Sequence, residues 1–178
     1  LVRPLANGRF TLLQSVRDFA ALRLTEADNE SVIANLIESG VGISVLRDEI
    51  AQFAARYAQG RVPAVLATER ESVGSDYGAT GYTTVAQADL LSAQLGLGPG
   101  DRLLDIGSGC GWPGLHIAGR TGCSVVVTDL TLPGVQRARD RAVLDAMGAR
   151  AAVAVANGRQ LPFRPESFDA VVVADVLC

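Results

Sequence analysis

Three glycines at alternate positions, Gly107, Gly109 and Gly111, follow the acid Asp105 within LLDIGSGCGWPG, residues 103–114. Asp105 belongs to a short apolar run that reads as a strand, and Pro113 suits the first turn of a helix. Glycine lets the main chain take left-handed angles and come close to a ligand. A helix that begins straight after such a turn offers unpaired N–H groups. The combination is a nucleotide-type binding turn at the carboxyl end of a strand, where open α/β sheets hold ligands. A second acid, Asp129, closes SVVVTD, eighteen residues after Gly111. An acid there can accept from both hydroxyls of a ribose. It can also serve as a turn acid for the helix that Thr131 and Pro133 begin.

Gly109, Gly111 and Gly114 formally fit the dinucleotide pattern G-x-G-x-x-G. In that fingerprint the first glycine comes straight off the strand, whereas here Gly107 and Ser108 intervene and Asp105 lies beside the turn. A carboxylate repels a diphosphate. A ligand with no phosphate and a positive centre tolerates it.

The elements that must position these residues are of two kinds. Residues 10 to about 95 read as helical. Thr25 to Asp28 has capping-box spacing ahead of Ile33, Leu36 and Ile37, with Gly40 as a stop. Ile43, Leu46, Ile50, Phe53, Ala54 and Tyr57 form a second stripe, closed by Gly60 and Pro63. Residues 72–84 read as a loop. Thr84 to Gln87 is a capping box ahead of Val85, Ala88, Leu91 and Leu95, and Gly96 ends that helix. From residue 96 the pattern changes to short apolar strands, 102–106, 124–128, 151–155 and 169–175. A helix is expected over 113–121, and another carries Val135, Ala138, Ala142 and Ala146 on one face. Alternation of this kind predicts an α/β fold, a Rossmann-like doubly wound sheet of about four strands preceded by an N-terminal helical cap. The expected division is 1–95 for the cap and 96–178 for the cofactor-binding half.

Composition narrows the function. The 178 residues carry a net charge of −3, and all 16 basic residues are arginine. Without lysine there is no Schiff-base chemistry in this stretch. The acidic balance disfavours nucleic acid as a partner, and no apolar run approaches the length of a membrane span. Cys110, Cys123 and Cys178 have neither metal-site nor disulfide spacing, which points to a reducing, cytoplasmic setting.

Taken together, LLDIGSGCGWPG resembles the first motif of the class I S-adenosylmethionine-dependent methyltransferases. Thr128-Asp129 is similar to the acid after that family's second strand, NGRQLPF (157–163) to the loop beside the adenine, and FDAVVVADVL to the fourth strand. The resemblance covers residues 95–178. It implies a sheet ordered 3-2-1-4-5-7-6 and S-adenosyl-L-methionine as cofactor. Gly107, Gly109 and Gly111 would line the amino-acid moiety, with Ser108 among the cofactor-binding residues. Asp105 would bind the amino group directly or through water, or else brace the loop. Asp129 would hold the ribose, and Leu130 would wall the adenine or belong to the core. Asn157 stands where the family usually has Asp; it would accept from the adenine or cap its turn. Tyr77 and Tyr82 lie in a segment from which a tyrosine often closes over the cofactor.

Other residues read more plainly. Trp112 packs either on the cofactor or on the helical cap. His116 reads as structural, Cys110 as a small loop residue, and Arg137, Asp140 and Arg141 as a solvated helix face. Asp175 ends the fourth strand on the expected substrate side. The resemblance implies in-line methyl transfer to a small-molecule acceptor, which needs alignment and water exclusion more than an acid–base pair. A chain that ends on an apolar strand is expected to be part of a longer enzyme, because such an edge is an aggregation template. A non-catalytic cofactor-binding remnant and an NAD-dependent oxidoreductase are the alternatives. The cofactor motifs encode neither the acceptor nor the oligomeric state.

Overall fold

The computed structural model describes residues 2–4, 10–12, 43–59, 62–79 and 81–176. Val2–Pro4 (β1) pairs antiparallel with Phe10–Leu12 (β2), so residues 10–12 are extended where a helix was expected. The capping box at Thr25 and the stripe from Ile33 to Ile37 lie outside the described residues. Three helices follow, Ile43–Gln59 (α1), Pro63–Ser72 (α2) and Val85–Leu95 (α3). Pro63 therefore opens a helix as well as separating two. The rest alternates: Arg102–Ile106 (β3), Gly114–Thr121 (α4), Ser124–Asp129 (β4), Leu132–Leu144 (α5), Ala151–Val155 (β5) and Ala170–Val172 (β6).

The four strands form one parallel sheet in the order β5-β4-β3-β6. Chain order runs outward from β3 through β4 to β5, then returns to the other side of β3. That reversal is a topological switch point, and it lies between β3 and β6. The arrangement is the 3-2-1-4 part of the expected order.

Strand alternation explains how the sheet is buried on both faces. Leu103, Val125 and Val127 share one core with Leu115, Ile117 and Ala118 of α4 and Ala138 and Ala142 of α5. Leu104 points the other way, into a second core with Ala156, Leu161 and Phe163. Among the described residues that face is covered by the irregular segment after β5, with Phe163 edge-on to Phe168 at 5.0 Å. The expected strand over 169–175 is shorter in fact, because the ladder to β3 stops at Val172.

The N-terminal helices are tied to the sheet's helices by charge. Arg137 of α5 donates to the carbonyl of Tyr57 at the end of α1 and to that of Tyr77 at 3.1 Å. Arg141 pairs with Asp76 at 2.6 Å and Asp145 at 2.8 Å, and its guanidinium lies 3.9 Å from the centre of the Tyr77 ring. The reading of this face as solvated fails for both arginines. Helical spacing of charges looks the same whether the partner is water or another segment of the chain. Hydrogen bonds from Arg141 hold the Asp76 carboxyl below its usual range.

The α3 capping box is formed. The Gln87 amide donates to Thr84 Oγ1 at 3.2 Å, the Thr84 amide donates to Gln87 Oε1 at 2.8 Å, and Gly96 ends the helix at a φ of 61°. Thr84→Ala leaves one helix N–H without its acceptor and should cost about 1 kcal/mol. Urea unfolding should register this as a lower midpoint with unchanged slope.

Candidate cofactor site

The glycine-rich turn joins β3 to α4 at the carboxyl end of the sheet, beside the switch point. It is anchored to β4, since the amides of Gly107 and Ser108 both donate to the Thr128 carbonyl, at 2.8 and 2.9 Å. Gly107, Gly109 and Gly111 have φ of 73°, 53° and 93°, the left-handed region that side chains disfavour. At Gly109 space adds a second constraint, for a Cβ there would stand 2.6 Å from the Tyr57 hydroxyl of α1.

Asp105 is 1% exposed. Its Oδ2 accepts from the Gly114 amide at 2.8 Å, which fastens the first residue of α4 to β3. Loop bracing, one of the two roles foreseen for it, is therefore visible. Its Oδ1 is buried without a partner, and so is Ser108 Oγ; these are the two such side-chain atoms among the described residues. Burial raises the Asp105 carboxyl well above its ordinary value of 3.8, the Gly114 bond opposes this, and the charge of Asp129 adds to it.

Asp129 is also buried, and its oxygens have partners within the turn. Oδ2 accepts from the Gly109 amide at 2.9 Å, while Oδ1 accepts from Thr131 N at 2.8 Å and Thr131 Oγ1 at 2.7 Å. The acid thus spans the glycine turn and the start of α5. Burial raises its carboxyl, and the bonds from Thr131 and Gly109 lower it. Leu130 follows, half-buried. Asn157 accepts from the Arg159 amide at 3.0 Å through its side chain and bridges to Gln160, so it caps its own turn.

The two tyrosines part company. Tyr77 is buried, packs its ring at a tilt against Trp112 with centroids 5.1 Å apart, and donates its hydroxyl to Asp145 at 3.2 Å, on the α5 side. Tyr82 is 83% exposed. Trp112 takes the helical-cap option, donating from Nε1 to the Thr83 carbonyl at 2.8 Å. His116 is structural, with Nε2 2.8 Å from Asp89 of α3. Cys110 donates to the Gly78 carbonyl at 3.5 Å. Asp175 lies beyond β6 rather than at its end, at a φ of 57°, and its carboxylate is engaged with residues 82 and 83.

Sequence reasoning missed Glu69 of α2. This carboxylate is buried at 7% exposure and accepts from Ser75 Oγ at 2.5 Å, Tyr77 N at 3.2 Å and Gly78 N at 2.6 Å. The Gly/Ser composition of the partner segment was its one visible signal. It also missed Tyr57 as a neighbour of Gly109, because helical periodicity marks an apolar face but not what covers it.

The raised acids have a consequence for stability. Ionising them is harder in the folded chain than in the unfolded one, so the stability they contribute is full below about pH 4 and is lost as pH rises through their raised values. Asp105→Asn keeps an acceptor for the Gly114 amide but carries no charge. Unfolding free energies measured between about pH 4 and pH 8 should fall less steeply for the variant than for the parent; equal slopes would contradict a raised Asp105.

Residues 103–178 match the family model described as "Methyltransferase domain". An uncharacterised protein of Mycobacterium bovis is 40% identical over 85 residues, 48% of this chain and 30% of its own. The 27-O-demethylrifamycin SV methyltransferase of Amycolatopsis mediterranei is 39% identical over 90 residues, 49% of this chain and 32% of its own. The chain thus spans about a third of the length of these relatives. In structure, a chain of the Haloferax volcanii complex containing the Trm112 methyltransferase activator aligns with a TM-score of 0.50 at 21% identity, over 68% of this chain and 46% of that one, a likeness of fold alone. With the ordered motifs and the sheet order already described, the match over residues 103–178 is consistent with a class I S-adenosylmethionine-dependent methyltransferase domain.

Proposed function

We propose that the chain is the cofactor-binding part of an enzyme that transfers a methyl group from S-adenosyl-L-methionine to a small-molecule acceptor by in-line displacement, with residues 96–178 as the cofactor-binding half and 1–95 as its extension. The observation that carries this reading is the pair of buried polar atoms without partners among the described residues, Asp105 Oδ1 near the end of β3 and Ser108 Oγ in the glycine-rich turn that follows. A buried polar atom is costly unless something bonds to it, and a ligand bearing an ammonium group has donors for both. The donor set thus fits the amino-acid end of the cofactor.

In this reading Asp105 and Ser108 take the amino-acid end against Gly107, Gly109 and Gly111. Asp129, already bonded through both oxygens, can accept further hydrogen bonds on the same oxygens from a ribose. Leu130 and Asn157 border the adenine side, and Tyr82 stands at the exposed rim. The cofactor supplies a methyl group on a positively charged sulfur. The chain's own part is to hold that group in line with the acceptor and to keep water away. No acid–base pair is required of these residues unless the acceptor must lose a proton in the step.

Support for a small-molecule acceptor is the net charge of −3, which disfavours a nucleic acid as partner. The relative from Amycolatopsis mediterranei, by its name, methylates a rifamycin. No helix among the described residues is long and apolar enough to cross a membrane. A cytoplasmic setting is supported by Cys110 and Cys123, both buried thiols.

Calorimetric titration tests this directly. S-adenosylhomocysteine should bind one to one, and NAD should not. Asp129→Ala unties Gly109 and Thr131 and should weaken S-adenosylhomocysteine by tenfold or more, about 1.4 kcal/mol. Binding of NAD alone would replace this reading with the oxidoreductase one. Binding without methyl transfer in the full-length enzyme would leave a non-catalytic binding module.

A further inference from the structure

Asp175 has no role in the site so far described, yet it is placed unusually. It follows β6 at the carboxyl edge of the sheet and adopts a left-handed φ of 57°. Few side chains take that conformation without some return from their surroundings. The return is visible: a single oxygen, Oδ2, accepts from the Tyr82 amide at 2.9 Å, the Thr83 amide at 3.0 Å and Thr83 Oγ1 at 2.9 Å. Gly81 is part of the fit, since a Cβ at that position would run into the same carboxylate oxygen.

The residues so held are fixed on the other side as well. The Thr83 carbonyl accepts from Trp112 of the glycine-rich turn, and the Gly78 carbonyl accepts from Cys110 of the same turn. Glu69 folds the beginning of this segment from beneath. The segment is therefore bonded to the turn after β3 and to the residues after β6. Those two strands flank the switch point, so the segment crosses the crevice in which a doubly wound sheet holds its ligand.

We propose that Asp175 is a positioning residue: by latching Gly81 to Thr83 to the end of β6, it makes that segment a fixed wall of the cofactor crevice. The inference rests on the cofactor reading above. Asp175 acts through the segment and not by touching the ligand, which replaces the substrate-side role suggested by its place in the sequence. Charge-assisted bonds of this kind are stronger than neutral ones. An asparagine, with one neutral acceptor oxygen, should keep the latch in weakened form.

Amide hydrogen exchange and calorimetry with S-adenosylhomocysteine separate the parts of this idea. Asp175→Ala should speed exchange at Tyr82 and Thr83, leave the β3 and β4 amides protected, and weaken S-adenosylhomocysteine about tenfold. Asp175→Asn should fall between the parent and Asp175→Ala in both. Gly81→Ala, which attacks the latch from the opposite side, should reproduce Asp175→Ala. Unchanged exchange at Tyr82 and Thr83 would overturn the latch. Faster exchange with unchanged affinity would overturn the wall. If the parent chain binds no S-adenosylhomocysteine, the cofactor reading and the wall fall together, while the exchange data still decide whether Asp175 holds the segment.

Discussion

The bond from the Gly114 amide to the buried carboxyl of Asp105 fixes where everything else at the carboxyl edge can be. It joins the last residues of β3 to the first residue of α4, and no Cβ fits between them, since one at Gly114 would lie 2.6 Å from Asp105 Cβ. The intervening residues must then turn back within a short distance, which is why three of them carry left-handed angles. With the turn closed in this way, its amides face β4, where the Thr128 carbonyl takes two of them. Asp129 takes a third, that of Gly109, and extends the brace to α5 through Thr131. Two buried acids thus hold the turn from opposite sides.

The second layer of constraint comes from outside the sheet. Tyr57 fills the space over Gly109 and against Gly134 at the start of α5, where a Cβ would meet it at 3.1 Å. Arg137 binds the carbonyl of that same tyrosine, and Arg141 grips Asp76 and the face of Tyr77. The helices ahead of the sheet are therefore held by polar contacts to main chain and carboxylates as much as by apolar packing. Such contacts are directional. They fix the position of the covering segments, where apolar burial alone would only favour their presence.

The sheet was legible in the sequence because short apolar runs at regular intervals leave few alternatives once turns and helices are placed between them. Asp105 and Asp129 were legible as candidate acids because each lies at or near the carboxyl end of an apolar strand, Asp105 just ahead of the glycine-rich turn. Their internal bonds were not, because a sequence shows that an acid is available but not which amide reaches it first. Glu69 was missed, and Arg137 and Arg141 were misread, for a related reason: each sits on a helix at a spacing ordinary for a solvated face, and spacing alone does not show which groups of the folded chain reach it. Asp175 was assigned to a strand by the apolar run before it. The ladder ends at Val172, and the residues beyond answer to Thr83 and Tyr82 instead.

The electrostatics of the turn bear on what it can hold. Asp105 and Asp129 are both buried, and the charge of one raises the carboxyl of the other. Among the described residues their hydrogen-bond partners are main-chain amides and a hydroxyl, none of them a cation. A positive group set against the buried Oδ1 of Asp105 would offset both burial and repulsion, and would draw the carboxyl toward its ionised form. A phosphate in the same place would set negative charge against both carboxyls, where water screens little, and would make ionising them harder still. The glycine spacing alone admits either ligand. The buried carboxyl beside it is the feature that favours a cation in the proposed reading, and the same group braces the turn.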